Sequence, residues 1–217
     1  MADLKKLYEA VLNGDSKGSV AITKEAIAEK IPPMELITHQ MIPAMDEVGR
    51  RFECSEYFVP ELLLSARAMK NALELLRPLL AASGAQPVGR VVIVTVKGDL
   101  HDIGKNLVAS MLEGGGFEVH DLGTDVTPEK FINAAKEHKA QLICLSALLT
   151  VTMPSMKTTI NALEGAGLKG KVKVIVGGAP VTQQYAQQIG ADGYGENANS
   201  AVRLARQMVA EVAPASA

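Results

Sequence analysis

The chain has 217 residues, 47% of them hydrophobic, which suffices for one large or two small packed domains and excludes a disordered chain. Twenty-two Lys and Arg against 24 Asp and Glu leave a formal charge of −2, and aromatic residues make up 4% with no Trp. Neither a basic field for phosphates nor a stacking platform for bases is available, so nucleic acid is not an expected partner. Cys54 and Cys144 are too few for a disulfide framework or a cysteine-rich zinc site, and fit a reducing cytoplasm.

The N-terminus, Met-Ala-Asp-Leu-Lys-Lys, leads into an amphipathic pattern rather than a secretory signal. The longest nearly apolar stretch, Leu142 to Met153, is interrupted by Ser146, Thr150 and Thr152 and falls short of the roughly 20 residues that cross a bilayer. No membrane partner is expected. Leu4, Leu7 and Val11 predict a first helix, and Val20, Ile27 and Ile31 a second. Gly14-Asp15-Ser16 supplies turn and cap chemistry between them, and Pro32-Pro33 closes the second and opens a third. Ile37, Met41, Ala44, Met45, Val48 and Phe52 repeat at helical steps, with Pro43 expected to bend or break that helix. Pro60 opens a fourth, whose apolar face is Leu62, Leu63, Ala66, Met69, Leu73 and Leu76. The prediction is an N-terminal four-helix bundle over residues 1–82.

From Ala81 to Gly89 the composition turns aperiodic, and residues 83–89 read as a linker. Beyond it, over 90–217, short β-branched runs at Val91 to Val96, Phe117 to Leu122, Leu142 to Leu145 and Val172 to Val176 suit strands buried on both faces. A short fifth strand is expected around Asp192 to Tyr194. Helical segments alternate with them, near Ile103 to Glu113, Pro128 to His138, Met153 to Glu164, Val181 to Gln188 and Asn199 to Val212. The pattern is α/β: a flavodoxin-like, doubly wound sheet of five parallel strands.

Open parallel sheets bind ligands beyond the carboxyl ends of their strands. After the first strand comes Lys97-Gly98-Asp99-Leu100-His101-Asp102-Ile103-Gly104, after the third Ser146-Ala147-Leu148, and after the fourth Gly177-Gly178. Singly, each has a plain structural reading: His101 as a loop histidine, Asp99 as a helix cap, the glycines as a turn. His39, His120 and His138 fall in different elements, so no zinc or iron cage is indicated, and the first loop carries neither a dinucleotide fingerprint nor a P-loop.

Taken together these residues resemble a known family. Asp99-Leu-His101-Asp-Ile-Gly104, 41 residues, Ser146-Ala-Leu148, 28 residues and Gly177-Gly178 are similar in spacing to the cobalamin-binding signature of corrinoid-dependent methyltransferases. Arg51 to Leu63, with its Phe58-Val59-Pro60-Glu61-Leu62-Leu63 ending, resembles a helix junction of the same family, so the likeness spans nearly the whole chain. It implies cobalamin bound with its own base displaced and His101 as the cobalt's lower axial ligand. Asp99 would accept from the other ring nitrogen and Ser146 would support that carboxylate, a proton being taken up when the ligand leaves. Gly98, Gly104, Leu148, Gly177 and Gly178 would line or permit the slot for the displaced nucleotide, with Asp102, Ile103 and Thr150 in the same cofactor-binding set. Phe58 would pack over a cobalt-bound methyl group, Val59 and Leu62 being neighbouring candidates, and the linker would act as a hinge that lets the bundle lift.

With its length taken up by two domains, the chain looks like a carrier subunit rather than a complete enzyme. The resemblance implies three partners: a donor-specific methyltransferase drawing on a methylated amine, methanol, betaine or methoxyaromatic; an acceptor methyltransferase serving tetrahydrofolate or a thiol; and a reductive activator protein. A cobalamin-responsive regulator, or the cofactor subunit of an adenosylcobalamin-dependent mutase, are the alternatives.

Overall fold

A computed structural model describes residues 3–83 and 86–211. Packing divides the chain into two compact units, Met1–Pro87 with Glu113–Gly116, and Val88–Leu112 with Phe117–Ala217. The first is helical: α1 Leu4–Leu12, α2 Ser16–Ala28, α3 Pro33–Leu36, α4 Ile42–Glu53 and α5 Val59–Ser83. Asp3 and Asp15 cap α1 and α2 by accepting from the amides of Lys6 and Gly18.

Three expectations for this unit change. Pro43 does not break its helix, because the turn before it, Ile37–Met41, is a π-helix in which the amide of Ile42 reaches back to the carbonyl of Ile37. The widened turn leaves room for a ring that clashes with an ordinary helix and has no N–H to give. The buried face of α2 is Ser19, Thr23 and Ala26 rather than Val20 and Ile27, which are half-buried, and Ile31 lies beyond the helix end. Small residues let α2 approach α5 closely, and Ser19 Oγ donates to the carbonyl of Ala68 at 3.0 Å. On α5, Leu62, Ala66, Met69, Leu73 and Leu76 are buried, but Leu63 is exposed and Ser65, Ala68 and Ala72 complete the buried face. The helix also runs on through Pro78 to Ser83, into the aperiodic segment. Residues 84 and 85 of the expected linker, and the C-terminal residues 212–217, lie outside the described part.

The second unit contains β1 Arg90–Thr95, α6 Ile103–Gly114, β2 Glu118–Asp121, α7 Pro128–Glu137, β3 Leu142–Ser146, α8 Pro154–Gly165, β4 Lys173–Gly177, α9 Gln183–Ile189, β5 Gly193–Gly195 and α10 Ala198–Glu211. All strand pairs are parallel, in the order β2-β1-β3-β4-β5. This is the flavodoxin-like order, whose reversal lies between β1 and β3. Both faces of the central strands are covered, so the apolar runs are continuous. Val92, Val94, Ile143, Leu145, Val174 and Val176 pack with Phe131, Met156, Ile160 and Ile189 in one core. Cys144 is buried in β3, and desolvation pushes its thiol up to about 12, which removes it as a nucleophile or metal ligand at neutral pH.

Phe131 is the largest fully buried side chain of this core. Phe131→Ala is expected to lower stability by about 3–5 kcal/mol, read as a lower midpoint in urea unfolding.

Candidate functional site

Strands β1 and β3 are register partners, Thr95 opposite Ser146, so the loops that follow them leave the sheet side by side at the reversal point. Between them sits Asp99. Its side chain is fully buried, and a buried carboxylate is tolerated only when donors surround it. Oδ2 accepts from Thr152 Oγ1 at 2.7 Å, the amide of Leu148 at 2.8 Å and the amide of Leu149 at 3.3 Å. Oδ1 accepts from the amide of His101 at 3.1 Å and faces His101 Nδ1 at 2.8 Å. Burial works to raise the carboxyl pKa. The bonds from Thr152, Leu148 and His101 overcome it and hold the group well below the usual carboxylate range.

An ionised carboxylate only accepts, so the proton between Asp99 and His101 belongs to Nδ1, and the neutral imidazole presents a lone pair at Nε2. The ring is half exposed. Its main chain is fixed as well, since the buried Thr95 hydroxyl donates to the carbonyl of His101 at 2.8 Å. One end of the loop is held by Ser155 Oγ, which donates to the carbonyl of Lys97 at 3.0 Å. Gly98 permits the turn, with φ at +86°.

The expected supporting hydroxyl of Ser146 is not the one observed. Ser146 ends β3 in register with Thr95 and Gly177 and makes no hydrogen bond to Asp99. The chain after it turns back on itself, with the amides of Thr152 and Met153 bonded to the carbonyl of Leu149, and this brings Thr152 onto the carboxylate. Thr150 lies exposed on the same turn. Asp102, Ile103 and Gly104 are exposed at the start of α6, where Asp102 accepts from Asn106 at 3.1 Å. A Cβ on Gly104 would meet nothing within 4 Å, whereas one on Gly178, at φ +123°, would lie 1.9 Å from the carbonyl oxygen of Ala147. Gly177 faces the Gly195 carbonyl, 3.0 Å from where its Cβ would be. The structure thus gathers Asp99, His101, Leu148 and Thr152 into one hydrogen-bonded group, with Gly178 against the same β3 loop. Phe58 belongs to the helical unit, where it is exposed before α5 and its amide donates to Glu61 Oε2 at 2.9 Å.

Around the imidazole the loops carry a set of exposed apolar side chains: Leu100 at 74%, Ile103 at 86% and Val151 at 81% exposure, with Leu148 and Leu149 less so. Large apolar groups in water on two adjoining loops mark a surface made to be covered. Among the described residues, no group of three or more His, Cys, Asp or Glu side chains could by itself hold a metal ion. His120 and His138, from separate elements, do meet, stacked at 3.6 Å.

A half-exposed nitrogen donor inside an apolar rim suits a flat cofactor that brings its own metal. Comparison with known proteins agrees. Residues 89–203 match the B12 binding domain, and residues 3–77 match a second model described as a B12 binding domain. The chain belongs to the B12-binding corrinoid proteins. It is 43% identical over 209 residues to the dimethylamine corrinoid protein of Methanosarcina barkeri, covering 95% of this chain and 97% of the relative. To trimethylamine corrinoid protein 1 of Methanosarcina acetivorans it is 42% identical, with 95% and 96% covered. Among solved structures, a cobalamin-binding protein from Desulfitobacterium hafniense matches at a TM-score of 0.80 with 33% identity, over 96% of this chain and 99% of that one. The methanol:cobalamin methyltransferase complex of Methanosarcina barkeri matches at 0.84 with 31% identity, over 95% and 79%. The cofactor is a corrinoid. The site's residues fit it: a free imidazole nitrogen, an apolar rim wide enough to need a large planar partner, and open space at Gly104. No helix among the described residues is long and apolar enough to cross a membrane.

Two measurements check the hydrogen-bonded group. Thr152→Val should lower the stability of the cofactor-free protein by about 1.5–3 kcal/mol, the range for a hydrogen bond to a charged group, and Ser146→Ala by much less. Because the folded pKa of Asp99 lies below its unfolded value of about 3.9, its stabilisation is complete above that pH and is lost as the solution is acidified further. Acid unfolding of Thr152→Val should therefore begin at higher pH than in the wild type.

Proposed function

We propose that this protein carries a methyl group on the cobalt of its corrinoid, held base-off through His101, between a donor-specific methyltransferase and a second methyltransferase that serves tetrahydrofolate or a thiol. The corrinoid, when bound, supplies a cobalt that takes up and gives away the methyl group. His101 offers Nε2 to the lower face. Asp99 keeps the proton on Nδ1 and raises the basicity of the ring, while Thr152 and the Leu148 amide keep Asp99 charged and in place. When the ligand withdraws, Nε2 is the atom that takes up a proton. Leu100, Ile103, Leu148, Leu149 and Val151 cover apolar cofactor surface and exclude water.

The observation that carries this reading is the Asp99–His101 pair, its carboxylate buried and its ring half exposed within the apolar rim. Relatives named for dimethylamine and trimethylamine, at 42–43% identity over almost the whole chain, favour a methylated amine as donor. A corrinoid relative held in a complex with a methanol:cobalamin methyltransferase favours a separate methyltransferase as partner. Residues 1–82 form the cap in this reading, with Phe58 over the methyl group, 83–89 the hinge, and 90–217 the cofactor domain. A reductive activator returns oxidised cobalt to its reactive state.

The cobalt(II) form of the wild type should show nitrogen hyperfine splitting in its electron paramagnetic resonance spectrum, and His101→Ala should lose it. Splitting that survives in His101→Ala would assign another nitrogen as ligand and sink the reading. Methyl transfer to the reduced protein should require a methylamine methyltransferase and be absent with the carrier alone.

A further inference from the structure

The loop between β2 and α7 grips the histidine loop through one residue, Asp125. The amide of Gly98 donates to Asp125 Oδ1 at 2.8 Å, and the amide of Asp125 donates to the carbonyl of Asp99 at 3.0 Å. The two bonds flank the Gly98–Asp99 pair. Asp125 has φ at +53°, a left-handed conformation that glycine adopts without strain. It is exposed, and among the described residues neither a lysine nor an arginine pairs with it. What aspartate adds at this position is the carboxylate, and that carboxylate is spent on the backbone of the histidine loop.

The segment carrying Asp125 is itself rigidly placed. The amide of Thr95 donates to the carbonyl of Gly123, the amide of Val126 donates back to the carbonyl of Thr95, and Val126 bridges Val96. Asp121, at the other end of the segment, accepts from the amide of Gly123 and pairs with the buried ammonium of Lys105 on the first turns of α6. The stretch from Asp121 to Asp125 therefore holds both ends of the loop that bears His101.

We propose that Asp125 is a positioning residue for the cobalt ligand. It locks the Asp99 backbone while Thr152 and Leu148 lock the Asp99 carboxylate, so the imidazole meets the metal already oriented. This rests on the reading of His101 as the lower ligand. Orientation set in advance strengthens a bond at a site where small displacements matter.

The test compares Asp125→Gly and Asp125→Asn with the wild type, each loaded with hydroxocobalamin and reduced to cobalt(II) at one fixed pH. Asp125→Gly removes the acceptor and relieves the left-handed strain, so its melting temperature should hold or rise. Its axial nitrogen coordination should weaken about tenfold, which shifts a one-electron cobalt(II)/cobalt(I) midpoint by about 59 mV to less negative values as the ligand-bound state is lost. Asp125→Asn keeps an acceptor oxygen and should lie between the two. Wild-type splitting and midpoint in Asp125→Gly, within about twofold in coordination on the same scale, overturn the proposal. A steep fall in melting temperature in both variants together with lost splitting overturns it too, assigning Asp125 to folding. His101→Ala sets the zero of the scale, and a wild type without splitting overturns the ligand reading itself and this proposal with it.

Discussion

A carboxylate with no access to water is stable only while its neighbours supply donors, and Asp99 draws them from two different loops. That requirement orders the edge of the sheet. The turn after β3 must fold back to deliver Thr152, the amides of Leu148 and Leu149 must point inward, and His101 must turn Nδ1 toward the charge. The same bonds that make the buried charge tolerable fix which ring nitrogen faces outward. Stability and ligand chemistry are thus two readings of one set of contacts.

The position of this group follows from strand order. β1 lies between β2 and β3, so the connections leaving β1 and β3 run to opposite sides and leave a crevice where they part. Every strand neighbouring β1 contributes an anchor to its loop: β3 through Thr152 and Ser155, β2 through Asp125, and β1 itself through Thr95. Loops are ordinarily the mobile part of such a sheet. This one is tied at Lys97, Gly98, Asp99 and His101, which suits a side chain that must repeatedly bind and release a metal without drifting.

Much of this was legible in the sequence, for identifiable reasons. The strands read clearly because burial on both faces demands uninterrupted Val, Ile and Leu, and Asp99 and His101 read clearly because the residues after β1 of such a sheet are where ligands go. The bundle was harder. The inner face of α2 is built from Ser19, Thr23 and Ala26, whose small size serves close approach and leaves no hydrophobic period to detect. A proline within a helix signals disruption, yet a π turn absorbed Pro43. In the site, Thr152 was passed over for Ser146 because only the folded turn tells which hydroxyl reaches the carboxylate. Asp125 left one signal, an aspartate in Gly-Thr-Asp-Val, the residue type most tolerant of left-handed backbone after glycine and asparagine.

Gly178 has a wider effect than its size suggests. With the Ala147 carbonyl where its Cβ would stand, the ends of β3 and β4 are in direct backbone contact, and neither can change shape alone. Any attempt to transplant the rim from a relative, for instance to alter which corrinoid is accepted, has to exchange these two segments as a matched cassette. Grafting one without the other would set a foreign backbone against a neighbour that leaves it no clearance.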